Sequence, residues 1–130
     1  MCSVLMSIKP KYVKSILSGE KVFEFRKKAC KKTIDRIYIY STVPVQKVVG
    51  EAKVESILIK SPAELWKLTH AGAGIDKDFF DKYFENRKEA VAYKLSNVKK
   101  YNKPITLSEF GIKAAPQSYQ YIDSVIYGDI

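Results

Sequence analysis

At 130 residues, 46% apolar and 28% charged, with 23 Lys and Arg against 14 Asp and Glu, the chain reads as one small globular domain with a net charge of +9. No apolar run approaches the length that crosses a bilayer. The start, Met-Cys-Ser-Val-Leu-Met-Ser-Ile-Lys-Pro, lacks the basic head and long apolar stretch of a secretory signal, so a cytoplasmic protein with no membrane role is expected. Two cysteines, Cys2 and Cys30, and one histidine, His70, make neither a disulfide framework nor a metal-ligand spacing, so no metal and no cofactor is expected.

In chain order, residues 3 to 8 read as a strand. Pro10 opens a helix, because its missing N–H has no partner to lose in the first turn. Tyr12, Val13, Ile16 and Leu17 form the apolar stripe of that helix over 11 to 18, and Gly19 closes it. A strand follows at once through Arg26. Residues 27 to 36, Lys-Lys-Ala-Cys-Lys-Lys-Thr-Ile-Asp-Arg, are a basic loop, either a solvated turn or a rim for phosphates. Ile37-Tyr-Ile-Tyr40 alternates as a strand and runs into Ser41 and Thr42. A long strand covers 46 to 60, with Gly50 marking a bulge or bend.

Ser61 and Pro62 cap and open a short helix over 62 to 70, carrying Leu65, Trp66 and Leu68. His70-Ala-Gly-Ala-Gly74 is expected as a flexible link; it does not follow a strand and lacks the third glycine of a dinucleotide-binding fingerprint. Asp76 caps a helix through 77 to 85, with Phe79, Phe80, Tyr83 and Phe84 on its buried side. Residues 89 to 101 form a strand in which Val91, Tyr93 and Leu95 share a face and Val98 falls out of phase. A turn at 103 to 106, a short helical piece at 107 to 110 and a last strand within 115 to 122 complete the chain. Strands that do not alternate regularly with long helices point to a mixed α+β fold: a small, partly closed barrel of five or six strands with two to three flanking helices.

The stretch Gly19-Glu-Lys-Val-Phe-Glu-Phe-Arg26 carries the chemistry. Strand alternation sets Phe23 and Phe25 on one face and Val22, Glu24 and Arg26 on the other, with Lys21 at the strand mouth. Two readings are open. Glu24 and Arg26 form an exposed ion pair of little energetic weight, or they belong to a polar site on a rigid element. The positive charge favours polyanions through release of phosphate counterions. Nine tyrosines, six phenylalanines and a tryptophan suit unpaired bases, which stack on rings.

Gly19, Lys21, Glu24 and Arg26 match the Gly-x-Lys-x-x-Glu-x-Arg pattern of the ASCH domain family, which this chain resembles. Ile37 to Thr42, Val49-Gly-Glu-Ala52, Lys103-Pro-Ile105 and Pro116-Gln-Ser-Tyr119 also resemble that family. The resemblance implies a PUA-like barrel over a single domain of residues 1 to 130, with a cleft floored by the Lys21–Arg26 strand. It also implies an RNA- or nucleotide-binding module tied to transcription or translation. Lys9, Lys21 and Arg26 are expected to meet phosphate. Glu24 would hold Arg26 or accept from a base amine. Tyr40, Ser41 and Thr42 would line one wall, and Gln117, Ser118 and Tyr121 another.

Some small bacterial members of the family are amidohydrolases acting on N4-acetylcytidine. They use a lysine in the motif, a threonine three residues later and a glutamate near the second helical region. Lys21 matches that lysine, Glu24 stands at the threonine position, and Ala-Gly-Ile precedes the second helix where a glutamate is wanted. If the chain is such an enzyme, its catalytic residues are Lys21 and Glu24. If it is a binding module, its partner is an unpaired strand of RNA. A third possibility is a protein-interaction surface with a merely structural Glu24–Arg26 pair.

Overall fold

The computed structural model describes residues 2–122. Met1 and residues 123–130, which the single-domain expectation takes in, lie outside the described residues. The elements are β1 (Cys2–Ile8), α1 (Pro10–Ser18), β2 (Phe23–Arg26), β3 (Ile34–Ser41), β4 (Lys47–Lys60), α2 (Pro62–Thr69), α3 (Lys77–Tyr83), β5 (Ala90–Ile105) and β6 (Tyr119–Ile122), with a 3-10 turn at His70–Gly72. The strands make one sheet in the order β2-β5-β4-β3-β1-β6. Only the β1–β3 pair among these is parallel.

The mixed α+β expectation holds, but the barrel does not close. Among the described residues β2 and β6 are free edges, so this is an open sheet. It is nevertheless curled. Val4, Met6 and Ile8 of β1 share one core with Val91, Tyr93 and Leu95 of β5, although β3 and β4 separate these strands in the sheet. The register slips at Gly50 against both neighbours, which is the expected bulge. Slips of this kind raise local twist and bend a strand. Val13 and Ile16 of α1 complete this core, and Gly19 caps the helix in the left-handed region with φ 90°.

A second core lies under the edge strand. Phe23 and Phe25 meet Leu65 of α2 and Phe80 and Phe84 of the α3 segment. The Phe25 ring stands edge-on to Phe80 at 5.3 Å, an arrangement that aligns a ring's positive edge with its neighbour's negative face. Both helices start as their sequences dictate, with Ser61 accepting from the Glu64 N–H and Asp76 from the Phe79 N–H. The third core, with Leu5, Tyr38, Tyr40, Tyr101 and Phe110, fills the other face of β1 and β3.

Several local expectations change. β3 begins at Ile34 rather than residue 37, because its pairing with Cys2 and Arg36 with Ser3 extends it, and the basic loop shortens accordingly. β5 runs on to Ile105, carried past Tyr101 by pairing with Val48. The piece at 107 to 110 is a turn, not a helix. Thr106 and Glu109 cap each other reciprocally, and the Gly111 N–H then turns back to the Ser108 carbonyl. The last strand is confined to Tyr119–Ile122, the residues that meet β1. Val22 leaves the charged face and packs against the second core, since it precedes the regular strand. Phe79, expected in the core, is 42% exposed.

Candidate functional site

α1, the 3-10 turn and β5 fix Lys21 before its side chain is considered. Its N–H donates to the Ser15 carbonyl at 3.0 Å. The next N–H, of Val22, donates to the Gly72 carbonyl at 2.9 Å, and the Val22 carbonyl accepts from Leu95 at 2.8 Å. Three elements therefore hold three successive peptide units. The Lys21 side chain lies inward and is 3% exposed. Its Nζ donates to the Ala73 carbonyl at 2.8 Å and sits 4.7 Å from the centre of the Phe25 ring and 5.6 Å from that of Tyr12. The stretch expected as a flexible link is thus the wall that supplies the lysine's acceptor.

Burial pushes the Lys21 ammonium down to about 8 from an ordinary 10.5. The Glu24 carboxylate pulls the other way and Arg26 adds to the lowering. Ring faces and one carbonyl compensate only part of the hydration an ammonium loses on burial.

Glu24 is also buried. Arg26 Nε and Nη2 reach the same Glu24 oxygen, Oε2, at 3.1 and 2.9 Å. The rest of the guanidinium bridges the gap in the sheet, with Nη2 donating to the Ser7 carbonyl at 3.2 Å and Nη1 to Ser118 Oγ at 3.0 Å. The pair is therefore no solvated ornament of the surface. It joins the β2 edge to the end of β1 and to the chain entering β6.

Around these groups is a cleft of about 210 Å³, lined by Ser7, Ile8, Lys9 and Tyr12 on one side, by Lys21, Glu24, Phe25 and Arg26 on its floor, and by Ile75, Phe79 and Tyr83 opposite. The Tyr12 and Phe79 rings face across it at 5.7 Å, and Phe79 and Tyr83 stack at 6.4 Å. Burial raises the Tyr12 hydroxyl, helped by the carboxylates of Asp76 and Glu24. Burial also raises Tyr83, whose hydroxyl donates to the Phe25 carbonyl. Both phenols stay protonated at neutral pH.

Of the residues picked from the sequence, Lys9, Lys21, Glu24 and Arg26 meet in this cleft, and Ser118 joins through Arg26. Tyr40 and Ser41 do not. β3 is an interior strand buried on both faces, so Tyr40 packs with Tyr38 in the third core. Ser41 lies in another hollow beside Pro10 and Tyr101. The Thr42 N–H donates to the Ile8 carbonyl at the loop's start. Gln117 is exposed outside the cleft lining. Tyr121 turns to the basic loop, its hydroxyl accepting from the Lys32 N–H and its ring under the Lys32 ammonium at 4.9 Å. Tyr12, Ala73, Phe79 and Tyr83 belong to the site without having been singled out for it. In the sequence they look like helix stripe and linker, and only the over-long aromatic run on α3 hinted at more rings than one core needs. Among the described residues no cluster of His, Cys, Asp and Glu fits a metal ion, and no helix is long and apolar enough to cross a membrane.

Comparison with known proteins agrees with the motif. The crystal structure of ASCH from Zymomonas mobilis superposes with a TM-score of 0.87 at 28% identity, covering 97% of this chain and 91% of that one. An ASCH domain-containing ribonuclease of the same organism is 34% identical over 92 residues, 70% of this chain and 62% of its own. The large ribosomal subunit protein uL22 of Ureaplasma parvum is 30% identical over 121 residues, 92% of this chain but only 39% of that protein. The chain therefore spans well under half the length of that ribosomal relative. The family model described as Domain of unknown function (DUF365) matches residues 1–123. The chain belongs to that family, and its fold is the ASCH fold that the Gly19–Arg26 motif indicated.

Proposed function

We propose that the cleft takes one unpaired nucleotide of an RNA strand. The observation that carries this is a nearly fully buried lysine on the floor of a pocket walled by aromatic rings. The base lies against Tyr12, Phe79 and Tyr83, since unstacked bases seek ring faces. Glu24 accepts from an exocyclic amine. Lys21, with one N–H on Ala73, has donors left for a phosphate or carbonyl oxygen, and Lys9 at the rim adds charge. The cleft is smaller than pockets of about 300–1,000 Å³ that hold drug-sized ligands, which suits a single base rather than two. The relative named as a ribonuclease supports RNA as the polymer. Arg26 serves mainly to orient Glu24, because its hydrogen bonds already go to Glu24, Ser7 and Ser118.

The test is fluorescence anisotropy with labelled single-stranded RNA across a salt series. The wild-type protein is expected to bind with an affinity that falls steeply with salt, and Lys21→Ala to weaken binding. Absence of binding to any RNA pool at low salt would sink the proposal.

One observation favours a second reading, in which the cleft is catalytic. A lysine with a pKa near 8 is about a quarter amine at pH 7.5, and so can act as nucleophile or base, with Glu24 as acid/base partner. The candidate reaction is hydrolysis of the acyl amide on a nucleoside such as N4-acetylcytidine. Release of acetate, rising with pH through about 8 and lost in Lys21→Ala, is the expected signature. No turnover at high protein concentration removes that substrate.

A further inference from the structure

A second groove opens where the cleft ends. The chain leaves the cleft floor at Arg26 and enters the basic loop, and Lys27 is the joint. Its ammonium lies 5.1 Å from the centre of the Tyr83 ring, a wall of the cleft, while Lys27 itself lines the next hollow. That hollow runs between residues 27–29 and 86–89. Lys27, Lys28, Arg87 and Lys88 stand around it against one acid, Glu89, over a floor that includes Ala29, Ile59 and Val91. Arg87 Nη2 donates to the Lys27 carbonyl at 3.1 Å, so the loop after β2 and the turn after α3 are tied into one rim. Ile59 is 44% exposed, an apolar side chain open to solvent in a cationic setting.

We infer that this groove carries the phosphate backbone of the same RNA strand as it leaves the cleft, so that the strand passes over Lys27 and its next phosphates meet Lys28, Arg87 and Lys88. The inference rests on the cleft holding a nucleotide. Its independent support is the charge, four cations to one acid, and the continuity through Lys27 and Tyr83. Contacts of this type position a strand without reading its sequence. A groove with an apolar floor and charged lips suits sugar edges below and phosphates above. An acidic segment of another protein would find the same cations but has no reason to engage the aromatic cleft next door.

The experiment compares wild type, Lys28→Ala/Lys88→Ala and Lys21→Ala. Each is titrated with a fluorescein-labelled ten-nucleotide RNA and with the four nucleoside monophosphates, at salt between 50 and 200 mM. Lys28 and Lys88 are exposed, so the double variant keeps its fold, and a thermal melt checks this. Each lost phosphate contact on a single strand removes about 0.7 from the slope of log affinity against log salt. The double variant is therefore expected to lose about 1.4 from that slope. Its affinity loss between 50 and 200 mM salt would be about sevenfold smaller than that of wild type. Its weaker binding of the oligonucleotide at low salt should leave nucleoside monophosphate binding unchanged, whereas Lys21→Ala weakens both.

An unchanged oligonucleotide affinity and slope in the double variant, with Lys21→Ala still impaired, overturns the groove and leaves the cleft standing. Failure of wild type to bind either ligand overturns both. An oligoglutamate peptide that needs Lys28 and Lys88 and is not displaced by the RNA assigns the groove to an acidic protein segment and overturns the inference.

Discussion

Replacing Lys21 with Met keeps an unbranched side chain against Phe25 and Tyr12 and removes only the ammonium. The structure sets the size of the effect. The folded state holds the Lys21 proton only up to about pH 8, and the unfolded chain to about 10.5. Between those values the unfolded state binds more protons, so stability rises with pH. Below pH 8 both states are charged and the full cost of burying the ammonium is present, about 3 kcal/mol at about 1.4 kcal/mol per tenfold change in proton affinity. Above about 10.5 it has gone. Between pH 7 and pH 10 the wild-type protein is expected to gain about 2.5 kcal/mol from this group alone. Met has no such dependence, and the loss of a donor to Ala73 lowers the stability of the variant equally at every pH. The tyrosines titrate in both proteins and cancel in the difference. Urea unfolding of both chains at the two pH values is the assay. The stability difference should move by about 2.5 kcal/mol in favour of wild type as pH rises. A difference that stays flat refutes the buried, weakened ammonium and, with it, the amine available for chemistry.

Further substitutions probe the same region. A Cβ at Gly74 would lie 2.5 Å from Lys21 Cβ, with φ at +66°, whereas Gly19, at φ +90°, has open space around it. Gly19→Ala should cost the left-handed backbone alone, about 1–2 kcal/mol, and Gly74→Ala a further 1–3 kcal/mol from crowding; equal losses in thermal unfolding would mean that Lys21 yields freely. Arg26→Ala leaves Glu24 buried without its partner and should destabilise by about 3–5 kcal/mol, with part of the loss recovered when Glu24→Gln is added. A loss under 1 kcal/mol in chemical denaturation would show the pair to be as weak as an exposed one.

Local signals in the sequence were reliable where one side chain or one turn decides the outcome. Pro10 and Gly19 bound α1, Ser61 and Asp76 cap their helices, and Val91, Tyr93 and Leu95 share the first core as their spacing requires. The charged half of the site was also legible, because Lys21, Glu24 and Arg26 lie within six residues. The aromatic half was not. Tyr12 rides, like Leu17, at the margin of a stripe whose centre, Val13 and Ile16, is core. Phe79 and Tyr83 depend on how α3 leans over the edge strand, which no local pattern encodes. Tyr40 shows the opposite error: a tyrosine at a strand end reads as a wall of the cleft until sheet order makes β3 interior and buries both its faces. Barrel closure is likewise a property of the sheet as a whole. Gly50 signals a bend, but whether the edges meet depends on every strand between them.

The cleft is built on an edge strand of only four residues, and among the described residues the opposite edge, β6, also has four. An exposed edge offers unpaired peptide groups to any passing strand, and short edges with inward-turned charges resist such pairing. Glu24 and Arg26 are those charges here. An extended segment of another chain that lay down beside β2 would have to displace the guanidinium from Ser7 and Ser118 and leave the buried Glu24 carboxylate without its partner. The residues proposed to receive a ligand are thus the ones that keep the chain from adding strands of its own kind. Apolar replacements there should be read for aggregation as well as for lost binding.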